Sequence, residues 1–273
     1  MPSTYAHYRM GQEVREALHG REREIVEGWP ELYLIGLHGP DILFYYRALF
    51  PNRVSAVGFG LHEKPGRTFF ETARRAVLER ENREPALAYA YGVLNHFALD
   101  VSCHAYVDEK IAASGITHTE IEVEFDRSLM LEDGLNPVTQ VLTDHIRPTG
   151  ENAAVIAPFY PGVTAAEVRK SLRSMIFYNR LLLARTRGKR ELVYGVLKLT
   201  GNFKEMHGLI VNPEGNPACE DSNARLRELY GLARERAVEF IDCFDAWLEK
   251  GQPLPAIFDY TFGGKLPESG KEV

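Results

Sequence analysis

His96, Asp100 and His104 recur at four-residue intervals in the segment Asn95-His96-Phe97-Ala98-Leu99-Asp100-Val101-Ser102-Cys103-His104. Four residues of helix advance by about 400°, so this spacing stacks two imidazoles and a carboxylate on one face, a turn apart. Their neighbours are apolar, which makes that face a buried one. An ionised carboxylate is costly there without a partner, and no Lys or Arg stands near Asp100 on the helix to pair with it. Flanked by two imidazoles, it belongs to a donor set that suits zinc. The plain alternative is a hydrogen-bonded core network of His and Asp. His118 and Glu122 repeat the four-residue spacing on a separate segment. Thr117 with Glu120, or Thr119 with Glu122, would equally make an ordinary capping box there. Two helices that each offer an imidazole and a carboxylate are how helical bundles build polynuclear sites.

Three more candidates stand earlier in the chain. Asp41 follows the Gly39-Pro40 break, which ends a helical run and frees a carboxylate to turn inward or to cap the next helix. His62, in Gly60-Leu61-His62-Glu63-Lys64-Pro65, reads as a loop residue, and His7 as a surface one. Taken in order, the series is His, Asp, His, then His-x-x-x-Asp-x-x-x-His, then His-x-x-x-Glu. It resembles the zinc-dependent phospholipase C family, whose site is shared by fungal single-strand nucleases. The phrases Ser3-Thr4-Tyr5-Ala6-His7, Gly39-Pro40-Asp41-Ile42 and His96-Phe97-Ala98-Leu99-Asp100 carry the resemblance, within about the first 125 residues.

The resemblance implies three zinc sites. His104, His118 and Glu122 would hold one ion; Asp41, His62 and His96 would hold a second, with Asp100 bridging towards a third that His7 joins. In the family a free N-terminal Trp completes that third site. Here six residues precede His7 and none is Trp, so the expectation is two or three ions. Imidazole and carboxylate donors also accept manganese or iron. The implied chemistry is hydrolysis of a phosphate ester by a metal-activated water, with Asp41 as both ligand and catalytic group that orients or deprotonates the water. His38 and Asn95 stand close enough in sequence to support ligands or to be ordinary polar residues.

The elements that must position these groups read as all-α: a single-domain multi-helix bundle with a polynuclear metal site in its core. Residues 1–250 form the domain and 251–273 an irregular C-terminal tail. Helical patterns cover Pro30 to Phe50, with a break at Gly39-Pro40, and Thr68 to Glu81. Pro85 opens a helix to about Ala112 that Gly115 ends, and Thr117 starts another to about Leu131. Shorter helices are expected at Val138 to Ile146 and Ala153 to Phe159. Thr164 with Glu167 forms a capping box. A last long helix runs from about Asn223 to Glu249, on an apolar stripe from Leu226 to Leu248. The Gly-, Pro- and Asn-rich stretch Gly201 to Ser222 reads as a connection or a lid.

Composition narrows the function further. The chain has 273 residues, 38 Asp plus Glu against 32 Lys plus Arg, and a net charge of −6. That balance excludes general binding to nucleic acid or anionic membrane, although it leaves room for a local basic site. The run Arg185, Arg187, Lys189 and Arg190 reads as a solvated turn. Three cysteines without Cys-x-x-Cys spacing exclude a disulfide framework and a thiolate zinc cluster. The N-terminal residues lack a secretory pattern, which points to the cytoplasm. From Ala86 to Val107 the only charged side chain is Asp100, but Asn95, His96 and His104 make this a core helix rather than a membrane span. No metalloprotease His-Glu-x-x-His, nucleophile elbow or phosphate loop occurs. Two functions follow: a zinc-dependent phosphoric ester hydrolase acting on a phospholipid, a nucleotide or a small phosphodiester, or a non-catalytic metal-binding scaffold that keeps the ligands for stability or partner binding.

Overall fold

Two helices of 31 residues, Glu84–Ser114 and Glu220–Lys250, pack along each other and form the frame of the molecule. The computed structural model describes residues 4–199, 201 and 207–267. In chain order its helices are α1 (Thr4–Ala17), α2 (Gly20–Gly28), α3 (Pro30–Gly36), α4 (Arg53–His62), α5 (Gly66–Leu78), α6 (Glu84–Ser114), α7 (His118–Glu132), α8 (Gly150–Ile156), α9 (Ala165–Leu182), α10 (Arg187–Leu199) and α11 (Glu220–Lys250). Short 3₁₀ stretches join them, notably Gly39–Tyr45 and Ala256–Asp259. The described residues contain no strand, only one bridge between Pro65 and Thr261.

Helix α6 is buried without interruption from Pro85 to Cys103. A helix that is apolar all round belongs in the centre of a core, and the others enclose it. None of the described helices is long and apolar enough to cross a membrane. Pro85 sits in the first turn, where its missing N–H costs nothing, and Gly115 ends the helix in the left-handed conformation at φ 72°. Helix α11 packs along α6 and buries Leu226, Ala233, Ala237, Phe240 and Phe244. Helix α3 crosses α6 on another side at Gly36 and Gly92; a Cβ at Gly36 would lie 2.4 Å from the Tyr89 carbonyl oxygen. That close crossing fixes where the chain leaves α3 for Asp41.

The structure departs from the periodicity reading at two of the segments it named. His62 is in the last turn of α4, not in a loop, because Asn52 caps that helix by accepting from the amides of Val54 and Ser55. Val138 to Ile146 forms turns instead of a helix. There the Asn136 side chain accepts from the Val138 amide at 3.1 Å, its carbonyl takes the Thr139 and Gln140 amides, and Thr143 takes Ile146. Such local bonds compete with a helical ladder. The stretch after Gly251 is irregular apart from the 3₁₀ turn Ala256–Asp259, and it buries Phe258 and Phe262 completely in the core. In the connection before α11, residues 202–206 lie outside the described residues, as do Ser3 and 268–273. The capping box at Thr164 and Glu167 forms as read.

Candidate metal centre

Helix α6 presents His96, Asp100 and His104 on successive turns towards one place, with His96 fully buried and Asp100 nearly so. Four other elements bring groups to the same place. Helix α1 docks its first turn on α7, where the Asp126 carboxylate accepts from the amides of Tyr5 (2.9 Å) and Ala6 (2.8 Å). These amides have no partner inside their own helix, and an anion is favoured at a helix start. So anchored, His7 stacks on His96 with ring centroids 4.4 Å apart and sets Nε2 3.2 Å from Asp100 Oδ1.

Asp41 arrives by way of Gly39. That residue has φ 47°, and a Cβ on it would lie 2.4 Å from Cδ2 of His96. Glycine alone lets the chain pass over the imidazole and turn the carboxylate inward. Asp41 Oδ1 then lies 2.9 Å from His62 Nε2 and 3.9 Å from His96 Nε2. His62 donates from Nδ1 to the Gly58 carbonyl at 2.9 Å, which fixes the ring with Nε2 towards Asp41. On α7, capped by Thr117, Glu122 Oε1 lies 2.9 Å from His118 Nε2 and 3.2 Å from His104 Nε2.

The eight residues singled out from the sequence therefore lie in three groups: His7, His96 and Asp100; Asp41, His62 and His96; His104, His118 and Glu122. Within each group the ligating atoms are within 4.8 Å of one another. His96 belongs to two groups, while Asp100 Oδ2 approaches His96 (3.1 Å), His104 (3.8 Å) and His62 (4.0 Å).

The donor atoms fit a divalent ion. Asp41 Oδ1, His96 Nε2, Asp100 Oδ2 and Glu122 Oε2 are buried, yet none makes an aligned hydrogen bond within the chain. Buried polar atoms are normally bonded. Close approaches at 2.9–3.1 Å without hydrogen-bond alignment are what lone pairs aimed at a common centre produce. Imidazole nitrogens and carboxylate oxygens are the donors zinc takes. A cavity of about 20 Å³ between His7, Asp100, His104 and Glu122 is large enough for one small occupant.

Burial pushes carboxylates up and imidazoles down, but mutual charge outweighs it here. Against burial, the His96 and His104 charges hold Asp100 well below its ordinary pKa, and His62 and His96 lower Asp41. Glu122 is likewise lowered by His118 and by hydrogen bonds from both imidazoles. His96 is raised by Asp100 and Asp41 in spite of its burial, and His104 is pushed up to about 10 by Asp100 and Glu122. Burial and the neighbouring His96 move His7 the other way, down.

The groups open on a cleft of about 240 Å³ walled by Asp41, His62, Asp100, His104 and His118, with Phe44 and Phe59 stacked 4.3 Å apart at its side. Asp108 also lines it, one turn beyond His104. It extends the four-residue series, a signal the spacing contains. His38 and Asn95 support other groups: His38 hydrogen-bonds His145 (2.7 Å), and Asn95 donates to the Tyr91 carbonyl (2.7 Å). Asp126 and the carbonyls of Gly58 and Phe262 were beyond sequence reasoning, since no spacing marks them.

The sequence model of zinc dependent phospholipase C matches residues 6–160, a range that contains all eight candidate ligands. No curated protein and no solved structure matches the chain. Matched over more than half of its length, with eight candidate ligands in three groups, the chain belongs to the zinc-dependent phospholipase C family.

Proposed function

We propose that this protein is a zinc-dependent phosphoric ester hydrolase, with phospholipid as the first substrate class and nucleotides or small phosphodiesters after it. The observation that carries the reading is that three ligand groups, linked through His96 and Asp100, border one open cleft. Isolated structural metal sites are closed, whereas a site for chemistry keeps an approach for substrate. His7, Asp41, His62, His96, Asp100, His104, His118 and Glu122 would hold two or three zinc ions. When bound, zinc supplies Lewis acidity towards phosphoryl oxygens and lowers the pKa of water.

The chain's own residues supply the rest. Asp41 lines the cleft, and His62 and His96 hold it ionised, so it can accept a hydrogen bond from an attacking water and orient it. His62 is turned by the Gly58 carbonyl, which keeps its Nε2 directed at Asp41. The stacked Phe44 and Phe59 give the cleft an apolar wall for the organic part of an ester.

Zinc per chain, measured by elemental mass spectrometry on protein purified without chelator or histidine tag, tests the reading. Two or three ions are expected, together with zinc-dependent release of phosphate or phosphomonoester from a phospholipid or a chromogenic phosphodiester. Glu122→Gln should lose one ion, and Asp41→Asn should lose hydrolysis with the fold retained. No zinc uptake on incubation with excess metal would overturn the reading. A full complement of zinc without hydrolysis of any phosphate ester would leave a structural metal scaffold in its place.

A further inference from the structure

His104 is held from behind by a part of the chain about 160 residues away. Its Nδ1 lies 2.9 Å from the main-chain oxygen of Phe262, while Nε2 faces Glu122 at 3.2 Å. A carbonyl only accepts, so Nδ1 carries a proton and Nε2 is the atom left to face Glu122 and His118. The Phe262 ring is fully buried and packs on the rings of His62 and His96, with centroids 5.2 and 5.7 Å away. One residue thus touches imidazoles from every group of candidate ligands.

The turn that carries Phe262 is closed and anchored at both ends. The Thr261 amide donates to the Lys265 carbonyl at 2.8 Å and the Gly264 amide to the Thr261 carbonyl at 2.9 Å, with Gly264 at φ 69°. On the α5 side, the Gly66 amide donates to the Tyr260 carbonyl at 2.8 Å and Arg67 Nε to Asp259 at 2.6 Å. On the α6 side, Lys265 pairs with Asp108, the residue one turn beyond His104, at 2.5 Å.

We propose that residues 260–265 are a built part of the metal centre, a strap whose Phe262 carbonyl is the positioning group that fixes His104 with Nε2 towards Glu122 and His118. The proposal rests on the metal-binding reading above and assigns a role to a segment outside the family match at 6–160. Partners of the far nitrogen of a ligating imidazole are worth roughly 10–100-fold in metal affinity.

Two variants loosen the strap from different ends. Gly264→Val puts a β-branched side chain at a positive φ, with its Cβ 3.0 Å from the Val101 carbonyl oxygen. Arg67→Ala removes the tie to Asp259 and to the Leu254 carbonyl and adds no volume. Competition titration should show one zinc per chain bound roughly 10–100-fold more weakly while the others keep their affinity. Long-range ¹H–¹⁵N spectra should show a His104 Nδ1 proton protected from solvent exchange in the parent and exchanging in the variants. A folded variant whose turn has moved, by the amide shifts of residues 261–265, but which keeps both the zinc affinity and the protected proton overturns the proposal. If the parent takes up no zinc, the proposed function fails on its own; the exchange comparison on the metal-free chain still decides the strap.

Discussion

Loading the metal-free chain with zinc should release protons, and the surroundings of His104 set the number. Burial disfavours its imidazolium, but the Asp100 and Glu122 carboxylates and the Phe262 carbonyl outweigh burial and push its pKa up to about 10. At pH 7.5 the ring is then almost wholly protonated, with no lone pair for a metal. Removing that proton at pH 7.5 costs about 3 kcal/mol, at about 1.4 kcal/mol for each unit between pH and pKa. The other shifted groups decide what else is released. Asp41, Asp100 and Glu122 ionise below their ordinary values and contribute nothing at neutral pH. His7, lowered by burial and by His96, is already neutral, whereas His96 is raised and adds to the release. Zinc binding should therefore release at least one proton per chain at pH 7.5. Apparent affinity at the His104 group should rise at least tenfold per unit from pH 6.5 to 8.5, by about 1.4 kcal/mol each. Calorimetric titration in two buffers of equal pH and different ionisation enthalpy counts the protons, and chelator competition at each pH gives the affinity. No net release at pH 7.5, with affinity flat across that range, would refute the assignment of His104 as a protonated ligand in waiting.

Three further substitutions test the positioning of the site and the stability of its frame. Gly39→Ala forces a Cβ to 2.4 Å from His96 at a positive φ, so both the melting temperature and zinc uptake should fall; parental values for both would contradict the close passage. Asp126→Asn leaves one of the two α1 amides facing an NH2 donor and the other a neutral acceptor, and should cost about 2 kcal/mol in urea unfolding. It should weaken zinc at the His7 group more than at the His104 group, and equal weakening would count against α1 docking as the cause. Asp245, buried and accepting from the Tyr91 hydroxyl at 2.6 Å, has its pKa raised by burial from 3.8 to about 6. A raised pKa means that the folded chain keeps a proton the unfolded chain gives up. Its stabilisation is full below about pH 4 and is lost as pH rises through about 6. Asp245→Asn should thus gain up to about 3 kcal/mol over the parent at pH 8 and nothing at pH 4, read from unfolding curves at the two pH values.

What was legible in the sequence divides along a physical line. His96, Asp100 and His104 could be read because their spacing is itself geometry: on a helix, four residues mean one face, and nothing else in the fold has to be known. His7, Asp41 and His62 sit on three separate elements, and each alone looked like a surface, capping or loop residue. Only their order in the chain, set beside a known family, joined them. What brings them together is a glycine at φ 47° and a carboxylate on α7 under the first turn of α1. Neither has a spacing rule. Periodicity found α5, α6, α7, α9 and α11 because each buries a long apolar face or runs apolar all round. It failed at Val138 to Ile146, where Asn136 and Thr143 bond the local backbone.

The segment after Gly251 gave no sign of its place in the core for a deeper reason. Two of the candidate ligands have their metal-facing nitrogen chosen by an acceptor behind the ring, Gly58 for His62 and Phe262 for His104. Both acceptors are main-chain carbonyls, and every residue has one. A side chain recruited for this task would have left a Glu, Asp or Asn in the sequence as a trace. A carbonyl leaves none, and what must be kept instead is the path of the chain. In the strap that path is held by Gly264 at φ 69°, by the closed turn from Thr261 to Lys265, and by the Phe262 ring packed on the His62 and His96 imidazoles. The candidate ligands are encoded as residue types, while the groups that aim them are encoded as shape, which is why the first could be read along the chain and the second only in three dimensions.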